Sequence, residues 1–134
     1  MFRPSLYTVE EKDMKAITIE SKLENKGHYV PGIISGGMLY ISGQLPVHHE
    51  TGAPISGDAA RQTFDALHNV ELVLKAAGLT REHVIMCRIY IPDVAYWPDL
   101  NQVYAEFFGS HRPARVVVPT NRLYNGCLVE VEAI

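Results

Sequence analysis

Cys127-Leu128-Val129-Glu130-Val131-Glu132-Ala133 alternates apolar and polar residues without a break. A period of two is the pattern of a strand with one buried face. Val129, Val131 and Ala133 define that face, and Glu130 and Glu132 line the other. Carboxylates two residues apart on a strand share a face at about 7 Å. That spacing suits general acid and base chemistry, and it equally suits a plain solvated surface. Upstream, Pro113-Ala114-Arg115-Val116-Val117-Val118 reads as a short buried strand carrying a guanidinium. A guanidinium and a carboxylate inside apolar strands are costly to desolvate, so each needs a partner. Two readings follow. Arg115 and Glu130 pair as a structural salt bridge, or Arg115 binds a substrate carboxylate while Glu130 handles a proton or a water.

Outward from these two strands, the spacing of Leu100, Val103, Tyr104 and Phe107 predicts a helix over 96–108, with Pro98 in its first turn. Val84 to Ile91 alternates as a strand that Pro92 closes, with Ile85, Cys87, Ile89 and Ile91 on one face. Before it, Asp58 is a plausible N-cap for a helix over Ala59 to Ala77, and Gly78 fits just past its end. Ala60, Phe64, Leu67, Val70, Leu74 and Ala77 form the apolar face of that helix. Two earlier strands are expected at Lys15–Glu20 and at Met38–Ser42, the latter entered through Gly36-Gly37. The order strands, helix, strand, helix, strands implies an α+β fold, a mixed sheet with two helices on one face. Residues 1–14 read as a polar leader and 15–134 as a single domain. The helices cover one sheet face. A second apolar face, carrying Leu39, Ile41 and Val129 or their alternates, calls for another subunit.

Composition narrows the function. The 134 residues carry 12 basic and 15 acidic side chains, net charge -3, with no basic cluster, so no nucleic-acid partner is expected. The charge-free stretch from Tyr29 to His49 is broken by Pro31, Gly32, Gly36, Gly37, Gly43 and Pro46, which argues for strand-turn-strand rather than a membrane span. Met1-Phe2-Arg3-Pro4 lacks the apolar core of a signal peptide, so a cytoplasmic location is the expectation. Cys87 and Cys127 belong to no C-x-x-C pair and read as buried free thiols. His48-His49 would point apart on an extended loop and make no ready metal site. Gly43, in Ser42-Gly43-Gln44, marks a β-bulge or a place where a ligand approaches the backbone. Asn101 beside the second helix's apolar stripe, and Tyr29 in a loop before Pro31, are either surface residues or pocket residues.

Several segments together resemble the reactive intermediate deaminase family, RidA or YjgF, historically called L-PSP endoribonuclease. They are Gly27-His28-Tyr29-Val30-Pro31-Gly32, Ser42-Gly43-Gln44-Leu45-Pro46, Ala66-Leu67-His68-Asn69-Val70, Asn101-x-x-Tyr104-x-x-Phe107-Phe108, Pro113-Ala114-Arg115 and Glu130-Val131-Glu132-Ala133. The resemblance implies a chorismate-mutase-like fold, a homotrimer with sites between subunits, and no metal or organic cofactor. It implies hydrolysis of enamines and imines such as 2-aminoacrylate and 2-iminopropionate to 2-keto acids and ammonia. Arg115 matches the family's carboxylate-binding arginine and Glu130 the glutamate that orients or deprotonates water. Tyr29, Ser42, Gly43 and Asn101 match pocket positions. Many members carry a cysteine two residues after the arginine, where this chain has Val117. A thiol nucleophile from that strand is therefore not available, while activation of water through Glu130 survives. A non-catalytic trimer that binds small carboxylates, or an endoribonuclease, are the competing readings.

Overall fold

The computed structural model describes residues 13–20 and 27–134. The expected leader lies outside the described residues as far as residue 12. Six strands, β1 (Lys15–Ile17), β2 (Gly32–Ser35), β3 (Met38–Gln44), β4 (Met86–Ile91), β5 (Ala114–Pro119) and β6 (Glu130–Ala133), form one sheet. Two helices, α1 (Ala59–Ala76) and α2 (Trp97–Phe108), complete the α+β architecture. The sheet order is β1-β2-β3-β6-β4-β5. Only β4 and β5 pair in parallel, joined by α2; the other neighbours are antiparallel. The last strand therefore slots between β3 and β4, the pair that α1 bridges. Of the expected N-terminal strand, the first three residues pair, with Ala16 opposite Ile33.

Gly36 and Gly37 join β2 to β3 with φ of 57° and 75°. Two consecutive left-handed residues make the tight turn that matches strand twist, and only glycine adopts it without strain. Asp58 caps α1 by accepting from the Arg61 backbone N–H, and Gly78 follows its end at φ 74°. The buried stripe of α1 differs from the expected one. Ala66, Leu67, Val70, Val73 and Leu74 are buried, whereas Phe64 is 49% exposed and stacks on His68 instead. The helix packs on both the sheet and α2, so its covered face is wide and is centred away from Phe64.

Leu39, Ile41, Cys87, Ile89, Ile91, Val129 and Val131 face the helices and form the core with them. Their alternates, including Tyr40, Arg88, Tyr90, Glu130 and Glu132, occupy the open face. The alternation expected from Val84 breaks at its start: Val84 is buried and Ile85 is 54% exposed. The strand carrying Arg115 also differs from expectation. β5 is an edge strand, with Ala114, Val116 and Pro119 exposed, because only one neighbour is available to cover it. Cys127 lies before β6 rather than within it; it and Cys87 are buried free thiols. No helix among the described residues is long and apolar enough to cross a membrane.

Candidate active site

Two charged groups stand in separate settings. Arg115 pairs in register with Cys87, which places it on the helix side of the sheet. There α2 presents Trp97, Asn101 and Tyr104 at helical spacing, one turn above another. Arg115 Nη1 donates to Asn101 Oδ1 at 3.0 Å. Its guanidinium carbon stands 4.7 Å from the Tyr104 ring centroid and 5.7 Å from that of Trp97. Both rings lie within cation–π range of the guanidinium. Among the described residues no carboxylate pairs with Arg115.

Glu130 pairs in register with Tyr90 on the other face. It lines a cavity of about 350 Å³ with Gly43, Tyr90, Thr120, Leu123 and Glu132. Burial first, and then the neighbouring Glu132 charge, push its carboxyl above the usual carboxylate range. Gly43 sits directly beneath: a Cβ there would collide with Glu130 Oε1. The pairing of β3 with β6 slips by one residue between Ile41 and Gln44, so Gly43 lies in a bulge. The bulge is present, and the missing side chain makes room for the carboxylate.

Ser42 fastens this half. Its Oγ donates to the Val30 carbonyl at 2.7 Å and its backbone N–H to the Pro31 carbonyl at 2.9 Å. The loop so held carries Tyr29, 58% exposed, beside β3. Asn69 of α1 donates to the carbonyls of Leu45 and Val47 at 2.9 and 2.8 Å, fixing the chain that leaves the bulge.

The salt bridge between Arg115 and Glu130 is not formed within the chain. β4 lies between their strands, and the two residues are on opposite faces. Two strand spacings alone separate their backbones by about 10 Å. The structure thus brings Gly43, next to Ser42, against Glu130 and, separately, Asn101 against Arg115. Tyr90, Trp97, Thr120 and Leu123 were not singled out by the sequence reading. Tyr90 belongs to the polar alternation of β4, which registers with that of β6; Thr120 and Leu123 lie in a loop with no periodic signal. A larger cavity of about 430 Å³ lies elsewhere, beside Glu71, Arg81 and Phe108. Its Arg81 already binds Glu71 and the Phe107 carbonyl.

A mixed six-stranded sheet with two helices defines the class of fold, and comparison with known proteins agrees. The Endoribonuclease L-PSP family profile matches residues 19–134. A RutC family protein of Pyrococcus horikoshii is 41% identical over 108 residues, 81% of this chain and 86% of the relative. Among solved structures, the Yersinia pestis protein YyfA of the conserved Rid family superposes with a TM-score of 0.84 at 32% identity, covering 90% of this chain and 96% of that one. The E. coli protein TdcF, solved with bound serine, gives 0.75 at 34% identity, covering 88% and 90%. The chain belongs to the Endoribonuclease L-PSP family, which takes in the Rid and RutC proteins.

Proposed function

We propose that this protein is an imine and enamine deaminase that hydrolyses small 2-imino acids to 2-keto acids and ammonia. The observation that carries the reading is the charge left unpaired in each half: an arginine fork held ready by Asn101 and two rings, and a half-buried glutamate with a raised pKa. The serine bound in TdcF, an amino acid with an α-carboxylate, supports such a ligand class.

Arg115 binds the substrate carboxylate through two parallel hydrogen bonds. Glu130 takes a proton from a water as that water adds to the C=N carbon. That proton then passes from Glu130 to the carbinolamine nitrogen, and as the C–N bond breaks the Glu130 carboxylate takes the hydroxyl proton, so that ammonia and the 2-keto acid are released. Iminium ions hydrolyse in water unaided, so holding the reactants together and placing one base supplies what is needed. A site with both residues requires Arg115 from one chain and Glu130 from another, since one chain points them to opposite faces. A homotrimer in which the β5 edge of one chain, carrying Arg115, abuts the open sheet face of the next meets that need, and no cofactor enters the scheme.

The test is turnover of 2-iminopropionate made in situ by an amino-acid oxidase, with the buffer rate subtracted. Arg115→Lys should weaken both binding and turnover. Glu130→Gln should retain pyruvate binding and lose about a hundredfold in rate, the scale of one general base. Pyruvate binding without turnover in the parent protein would instead support a binding-only role. The 12 basic against 15 acidic residues offer little charge for RNA phosphates, which weighs against the endoribonuclease reading.

A further inference from the structure

Glu130 and Glu132 face the same cavity, yet their partners differ. Tyr90 lies directly across from Glu130 in the β4–β6 register, but its hydroxyl donates diagonally to Glu132 Oε1 at 2.7 Å. Arg88, across from Glu132, brings Nη1 to 3.7 Å from that same oxygen. Glu130 accepts no side-chain hydrogen bond among the described residues.

We propose that Tyr90 is a positioning residue for Glu130: with Arg88 it holds the Glu132 carboxylate aside, so that Glu130 alone of the pair is available to take a proton from water. This rests on the reading of Glu130 as the base. The groups facing Glu130 are few. β4 contributes Tyr90 and Arg88, and β6 contributes Glu132, with Cys127 just before it. Tyr40 of β3 lies farther along the same face, and Arg122 is exposed on the loop bearing Thr120 and Leu123. Without the Tyr90 hydroxyl the Glu132 carboxylate is no longer tethered aside and closes on Glu130, and two carboxylates sharing one site hold a proton between them. At a given pH less Glu130 is ionised, so activity that needs ionised Glu130 fails at a higher pH.

The experiment is the ratio of kcat/KM for Tyr90→Phe to that of the parent, read across pH so that titration of the substrate cancels. The ratio should be near one at alkaline pH and fall about tenfold below the acid limb, a one-unit upward shift of the limb. Glu132→Gln, which removes the competing charge, should move the limb down and restore it in the Tyr90→Phe background. Carboxyl carbon NMR of Glu130 should titrate in the same directions. Profiles that run parallel at every pH for both variants would overturn the proposal while leaving Glu130 as the base. Full turnover by Glu130→Gln would remove the base itself, and the proposal with it.

Discussion

Arg115 and Glu130 sit on strands separated only by β4, and their side chains leave the sheet in opposite directions. Cys87, the register partner of Arg115, is in the core, whereas Tyr90, the partner of Glu130, is on the open face. This parity makes a site shared between chains testable. Arg115→Ala and Glu130→Gln chains, each strongly impaired alone, should regain activity when unfolded together and refolded as mixed oligomers. Random assortment places one intact arginine beside one intact glutamate in roughly a quarter of sites of a cyclic trimer. No recovery in oligomers shown by mass to be mixed would place both residues in one chain's site.

Gly43 does not have a positive φ, so alanine meets no backbone penalty there, but its Cβ would displace the Glu130 carboxylate. Gly43→Ala should therefore lose about a hundredfold in turnover, the scale of a 1 Å misplacement. The melting temperature should change little. A normal rate would show that the Glu130 position is not critical.

Burial of Cys87 pushes its thiol up to about 11 from an ordinary value of 9.0. A raised folded value means that the stability holds at lower pH and is lost as pH rises from 9 toward 11. Cys87→Ala should remove about 2 kcal/mol of that alkaline loss. Turnover at neutral pH should persist, since the thiol is wholly buried. Melting curves at several alkaline pH values check the first expectation, and the deaminase assay the second.

Arg81 binds both oxygens of the buried Glu71, donates to the Phe107 carbonyl at 2.7 Å and lies 4.0 Å over the Phe107 ring. It joins α1 to α2. Arg81→Met should destabilise the fold by about 1–2 kcal/mol, because the Phe107 carbonyl loses its donor and Glu71 keeps only Lys75, at 3.6 Å. The hydrogen bond from Arg81, opposed by burial, lowers the Glu71 carboxyl below its usual range. The pair's contribution is thus present above the ordinary carboxylate pKa and lost as pH falls through the lowered one. The parent and variant should converge in stability under acid, as urea titrations at falling pH would show.

The elements were legible where side-chain period reports burial directly. Val129, Val131 and Ala133 gave the parity of β6, and Asp58 and Gly78 bounded α1 within a residue. Gly36-Gly37 announced its turn because few residues tolerate consecutive positive φ. The charged candidates Arg115 and Glu130 stood out because charge in an apolar run is costly wherever it falls.

Which of them face each other was decided only by the tertiary structure. Inserting β6 between β3 and β4 set the open-face register, in which Tyr90 crosses to Glu132 and Gly43 lies under Glu130. Placing β5 at the edge exposed a strand that its valines suggested was buried, and turned Arg115 under α2. A strand's own alternation separates its two faces, but which face the helices cover depends on pairing between distant segments. Local sequence carries no term for that order, so Arg115 and Glu130 read equally well as a salt bridge until the fold placed them apart.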